Sequence, residues 1–369
     1  MTVDWDSVRA EFPALARWTY LNTATYGQVP RRGVEANARH FARRDELACS
    51  DFLAWYDEAE AFRAPIAGLI GAVPDDIAFI PNSSAALGLV AAGIEWRRGD
   101  NVVTLADEFP NCLYLPALVD RHGVEFREVP WSRFYDSVDS KTRLVVLSEV
   151  NYSTGFRAPI AEISRFLHQR GALLFVDGTQ SVGALQFDVA TSKPDVLAVH
   201  GYKWMVSPTG VGFMYVAPEL RKVLPPNVAG WRTHRDWHNV DNLHHGMPVS
   251  KDSAERYEGG GLPFGLLHAM GTTAEWLLEL GPHEIETRVL ALAASARARL
   301  QKLGADADNT GSQIVAAKFS GADPSRLARE LKQRRVLVAA RHGFLRISPH
   351  FYNNEEDLER LETELRNVL

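Results

Sequence analysis

Lys203 stands just past an apolar run, DVLAVHG (195–201). A lysine drawn into apolar surroundings loses pKa because its charged form is desolvated. The resulting free amine can condense with an aldehyde to form a Schiff base. The plainer alternative is a strand-end lysine whose stem snorkels and whose ammonium stays in water. His200, Tyr202 and the Gly-rich turn SPTGVG (207–212) flank this lysine and set it apart. Asp177 closes a second apolar run, ALLFVDG (172–178). An acid there would grip a protonated pyridine nitrogen by charge and hydrogen bond, making the ring an electron sink for carbanions. Its plainer reading is a turn or a helix cap. Asn82, Ser83 and Ser84 open SSAALGLVAAGI (83–94) with hydroxyls and free backbone N–H groups. By geometry and helix dipole that is a phosphate cradle, and otherwise an ordinary N-cap. Amine, acid and cradle together specify a phosphorylated pyridine aldehyde, pyridoxal 5′-phosphate.

Such groups need a frame that brings them to one edge. DIAFIP (76–81), NVVTLA (101–106), VEFREVP (124–130), RLVVLSEV (143–150), ALLFVDG, DVLAVHG and GVGFMYV (210–216) read as strands. Helical stretches lie between several of them, at 83–94, 111–123 and 159–171. Continuous β-branched runs alternating with helices predict a doubly wound α/β sheet buried on both faces. Ligands of such sheets bind outside the C-terminal strand ends. After residue 263 the texture changes to long helices (264–281 and 283–304), short strands (313–320, 336–340, 345–349) and a last helix (354–369). This predicts a large α/β domain (21–264) and a small α+β domain formed by 265–369 with the N-terminal segment 1–20. The helices at 4–17 and 31–46 are expected to pack on the small domain or on a partner subunit. The stretch 224–256, rich in Trp, His, Arg and Pro, has no clear period and is too long for a casual connection.

Composition narrows the classes. The chain has 369 residues, 46% hydrophobic and 23% charged, which is the balance of an ordinary globular protein. Its net charge of −6, with no basic run, argues against nucleic-acid binding. The cysteines Cys49 and Cys112 offer neither a disulfide scaffold nor a CxxC pair. The first residues, MTVDWDSVRAEFPAL, lack an apolar h-region, and no apolar run approaches a membrane span. A cytoplasmic protein without nucleic-acid or membrane partners is expected. His234 and His238 are spaced i, i+4, but no helical period supports a metal site there, and none is expected. No GxGxxG follows the first strand, which argues against a dinucleotide-binding enzyme.

Eight ordered blocks carry a family likeness: YLNTATYG, PNSSAALGLV, EFPNCLY, SEVNYSTGFRAPI, LLFVDGTQSVG, AVHGYKWMVSPTGVG, RYEGGGLP and LRISPHFYN. With them the chain resembles the class V branch of the fold-type I PLP-dependent enzymes, from about residue 20 onward. The resemblance implies a large domain with a mostly parallel seven-stranded sheet, a small C-terminal α+β domain, pyridoxal 5′-phosphate as cofactor, a small amino acid as substrate and a homodimer. It makes Lys203 the Schiff-base lysine and Asp177 the pyridinium partner. Gln180 becomes the donor to the phenolic oxygen, and Ser83, Ser84, His200 and Tyr202 become phosphate contacts. Phe109 becomes the ring stacked on the pyridine face. Asn151 and Tyr152 fall on the loop facing the cofactor or substrate, and Arg346 forks the α-carboxylate.

Departures from the family pattern matter too. Desulfurases carry a nucleophilic cysteine shortly before that arginine, whereas RRVLVAARHGFLR (334–346) has none. Leu262 stands where relatives often have the threonine that reaches the partner subunit's phosphate, so the backbone of Gly260 and Gly261 would have to substitute. Trp231 and Arg232 are expected near the site, and Arg157 and Arg341 are candidates for a second, anionic end of the substrate. The leading expectation is an aminotransferase acting through a Lys203 aldimine and a carbanionic, quinonoid state. The alternatives are a lyase or epimerase using the same carbanion, and a PLP-fold binding protein without turnover.

Overall fold

The computed structural model describes residues 3–369. Its strands, in chain order, are β1 (Thr19–Tyr20), β2 (Ile77–Ile80), β3 (Asn101–Leu105), β4 (Glu125–Val129), β5 (Thr142–Ser148), β6 (Leu173–Asp177), β7 (Val196–His200), β8 (Gly212–Val216), β9 (Ala305–Asp306), β10 (Val315–Phe319), β11 (Val336–Leu337), β12 (Ala339–Arg341) and β13 (Phe344–Ile347). The seven strands expected in the large sheet form it, in the order β2-β8-β7-β6-β5-β3-β4. Only β8 runs against its neighbours, pairing antiparallel with both β2 and β7.

The reason for continuous apolar runs is visible in the burial. Odd and even residues of each central strand feed different cores. Val145, Leu147, Leu174, Val176, Leu197 and Val199 face one, while Leu144, Val146, Phe175, Val196 and Ala198 face the other. A sheet covered on both sides has no polar face to alternate with. Residue pairing puts the strand ends level. Ile80 and His200 both pair with Gly212, and Ser148 pairs with Asp177, which pairs with Ala198. The C-terminal ends of β2, β5, β6 and β7 therefore share one edge.

The smaller sheet runs β12-β13-β10-β9, and its core takes in Leu292, Leu300, Leu327, Leu345 and Leu361 together with Leu21. One expected strand, 336–340, is two. Val336–Leu337 pairs in parallel with Thr19–Tyr20, whereas Ala339–Arg341 pairs antiparallel with β13. Val338 is where the chain changes partners. The expected helix at 111–123 is also broken, because Pro116 removes an N–H donor and starts a new turn, giving Pro110–Leu113 and Pro116–Val119. The helix Arg31–Leu47 lies along Phe264–Leu280, where Gly33 faces Thr273 and Gly265 faces Phe41. Among the described residues no helix is long and apolar enough to cross a membrane.

Candidate active site

Lys203 follows β7 and is 6% exposed. Two neighbouring backbones hold its loop. Gly27 N–H donates to the Tyr202 carbonyl at 2.9 Å, and a Cβ on Gly27 would overlap the Lys203 carbonyl. Gly183, at φ 97°, presses on the Trp204 carbonyl from elsewhere in the fold. Val206, a buried β-branched residue, is held at φ 49°, a left-handed conformation that such residues rarely adopt. Strain of this kind persists only where the surroundings over-determine it. Burial pulls the Lys203 amine down to about 7, with Asp177 opposing the shift and Arg346 and Arg341 adding to it.

Asp177 ends β6 and is 7% exposed. Its Oδ1 accepts from Thr179 N–H at 2.9 Å. Burial pushes its pKa up, against the hydrogen bonds from Thr179 and the charge of Lys203. Helix Ser83–Gly93 begins past β2 with Asn82 as cap, its Oδ1 accepting from Ala85 N–H at 2.9 Å. The N–H groups of Ser83 and Ser84 remain free at the positive end of an eleven-residue helix. Thr179 ties this end to the neighbouring strands, with its hydroxyl 2.9 Å from Ser83 Oγ and accepting from His200 N–H at 3.0 Å. Gly210 N–H donates to His200 Nε2 at 3.2 Å, which assigns the ring proton to Nδ1. Burial holds this histidine neutral, its pKa down to about 4, with Lys203 adding to the effect.

Ser83, Phe109, Tyr152, Asp177, Gln180, His200, Tyr202 and Lys203, from well-separated parts of the chain, line one cleft. The Phe109 ring centroid is 5.6 Å from Lys203 Nζ and meets Tyr152 edge-on at 5.2 Å. Gln180 spends its carbonyl on Trp204 Nε1 and one N–H on the Ala24 carbonyl, keeping a second N–H. Ser84 donates to Asn111 Oδ1 at 2.8 Å on the exposed side. Arg346 is behind Tyr152, donating to its backbone carbonyl and to Thr25 Oγ1.

Other expected residues are not brought to the cleft. Asn151 is buried in its own turn, with its amide carbonyl accepting from Ser153 and Thr154 and its NH₂ donating to the Asp107 carbonyl. Arg157 pairs with Glu149 and Glu286. Arg232, expected near the substrate, is instead buried between Glu255 and Glu258, in a charge cluster that includes Arg63 and Glu60. Trp231 packs edge-on against Tyr56 and Trp237. The histidines of 224–256 are used locally, His234 stacking on His244 and His238 on Trp237.

Three contributors escaped the sequence reading. Thr179 and Thr25 sat inside quoted blocks, DGTQ and YLNTATYG, without a distinguishing feature. Glu108, beside Phe109, accepts from Ser148 N–H, Ser148 Oγ and Phe109 N–H. Burial pushes its pKa up to about 7 against those bonds.

The donor set suits a phosphorylated pyridine aldehyde. Free helix N–H groups, a serine hydroxyl and a neutral histidine meet at the cleft, with a buried acid at a strand end and an amine whose pKa burial pulls down to about 7. The comparisons agree. The Aminotransferase class-V family profile matches residues 50–361. A probable cysteine desulfurase of Methanothermobacter thermautotrophicus is 27% identical, over 98% of each chain. The isopenicillin N epimerase of Streptomyces clavuligerus is 30% identical, over 97% of this chain and 96% of that one. Among solved structures, the apo cysteine desulfurase of Thermococcus onnurineus NA1 superposes with a TM-score of 0.87 at 23% identity, covering 100% of this chain and 98% of that one. Its fold is that of the fold-type I enzymes, and the chain belongs to the class V aminotransferase family of pyridoxal 5′-phosphate enzymes.

Proposed function

We propose that the protein is an aminotransferase that acts on a small amino acid at its Cα–H bond. The observation that carries this reading is Lys203, a buried amine held near neutral pKa in the same cleft as the buried acid Asp177. Ser83, Ser84, His200 and Tyr202 would hold the phosphate, Asp177 the pyridine nitrogen, Gln180 the phenolic oxygen, and Phe109 one ring face. When bound, the cofactor supplies an electron sink for the pair released at Cα. Arg346 orients the substrate through its α-carboxylate, a fork-to-fork contact suited to guanidinium. Lys203 Nζ, free to accept at neutral pH, takes the α-proton and holds it. Where that proton is delivered decides the product. Returned to Cα, it would give back an amino acid; delivered instead to the cofactor carbon that joins the substrate nitrogen, it would let hydrolysis release a keto acid and leave the amino group on the cofactor.

A second reading, epimerisation, is favoured by Tyr152. Its hydroxyl is bonded to His342 Nε2 at the mouth of the cleft, a second proton carrier able to serve Cα from another direction. The likeness to an isopenicillin N epimerase points the same way. Desulfurase chemistry is not adopted, because neither cysteine lines the cleft. Cys112 is buried, and that burial, with the charges of Glu108 and Asp177, keeps its thiol protonated. Cys49 is exposed, in the turn after helix Arg31–Leu47.

A panel of amino acids added to the cofactor-loaded protein tests the reading. An aminotransferase loses its yellow absorbance and releases one keto acid per site. An epimerase keeps the absorbance, inverts the substrate and exchanges its α-hydrogen with solvent. A protein that takes up no cofactor refutes both.

A further inference from the structure

Two guanidiniums meet at one hydroxyl beside the cleft. Arg346 Nη2 donates to Thr25 Oγ1 at 2.6 Å, and Arg341 Nη2 reaches the same oxygen at 3.4 Å. The two nitrogens are thus within about 6 Å of each other, close enough for strong repulsion away from bulk water. Among the described residues neither arginine is in a salt bridge, whereas the buried Arg63 touches two acids and the buried Arg232 three. Arg346 is 1% exposed, and its Nε has no hydrogen-bond partner. Arg341 is half-buried, and its other acceptor is merely the carbonyl of Ala340. Asp107 and Glu108 line an adjoining cleft with Tyr152 and His342, but Glu108 is already occupied by Ser148 and Phe109. Burial and the like charge of Arg341 both depress the Arg346 pKa.

Holding a buried and a half-buried guanidinium this close without a counter-charge is costly. One α-carboxylate compensates only one of them. We propose that Arg341 binds a second anionic group of the substrate, so that the preferred substrates are amino acids with a side-chain carboxylate. This rests on the reading that Arg346 holds the α-carboxylate. Short dicarboxylic amino acids place their two carboxylates a few carbons apart, which matches neighbouring guanidiniums.

Isothermal titration with succinate and butyrate, dicarboxylate and monocarboxylate of equal chain length, tests the pair without turnover. The cofactor-loaded protein is expected to bind succinate about 10- to 100-fold more tightly than butyrate. Arg341→Gln should erase most of that ratio, and Arg341→Lys should restore part of it, as a point charge without the fork. Arg346→Gln should weaken both ligands. Equal binding of the two acids by the wild type, or an unchanged ratio in Arg341→Gln, overturns the proposal. If Arg341→Gln does not fold, the wild-type ratio and Arg341→Lys decide. Absorbance of the same samples reports separately on the parent reading. A yellow protein without succinate preference refutes only the role of Arg341, whereas a protein that stays colourless refutes the proposed function.

Discussion

Replacing Lys203 by Met keeps an unbranched stem and deletes the amine, and the outcome should depend on pH in a defined direction. The Lys203 pKa falls from 10.5 to about 7 on burial. Between those values the unfolded chain binds a proton that the folded chain does not, so wild-type stability rises with pH across the window. Below about pH 7 both states carry the proton, and the penalty is at its full value. At about 1.4 kcal/mol per pH unit, the penalty is about 4 kcal/mol near pH 7 and under about 1 kcal/mol near pH 10. Lys203→Met carries none of it. Urea unfolding of cofactor-free wild type and variant, at steps between these pH values, should show the variant more stable at pH 7. The gap should close by about 3 kcal/mol towards pH 10. Groups common to both proteins cancel in the difference. A gap that does not change with pH, or a variant less stable at neutral pH, would refute the idea that burial frees this amine.

Glu108→Gln should show the opposite slope. The folded-state pKa of about 7 means that the native chain holds an extra proton between about pH 4.5 and 7, so wild-type stability falls as pH rises through that window. The variant lacks this fall, and unfolding midpoints at pH 5 and pH 8 should differ from the wild-type pattern by an equivalent of about 3 kcal/mol. Asp177→Asn should weaken cofactor retention about 10- to 100-fold, read by absorbance during dialysis, because a buried charged partner is lost. Retention at the wild-type level would count against its pairing with the ring nitrogen. Gly27→Ala forces a methyl onto the Lys203 carbonyl. It should lower the melting temperature and the cofactor occupancy together, whereas a drop in melting temperature alone would detach Gly27 from the site.

The large sheet was legible because burial on both faces demands apolar runs such as RLVVLSEV, and such runs need no tertiary information to recognise. That the proposed cofactor residues share one cleft was legible for a related reason. Lys203 and Ser83 follow strands and Asp177 ends one, and parallel strands end on one edge. What stayed hidden depends on contacts between distant segments. Thr179 looks like any turn threonine until Ser83 and the His200 N–H arrive beside it. Arg157, Arg232 and Arg341 are equivalent in sequence, and only the fold separates the first two, paired with two and three acids, from the third, which has none among the described residues. The change of partner at Val338 was invisible because both halves of VLVAA are equally good strand formers.

The substrate end has a construction history of its own. Arg346 rests on Thr25 and on the Tyr152 carbonyl, and β11 pairs with β1, so this corner joins the first and last parts of the chain. The groups assigned to the cofactor lie between Ser83 and Lys203 and leave the ribosome well before Arg341 and Arg346 are made. During synthesis the residues proposed to hold the cofactor therefore emerge before those proposed to choose the substrate.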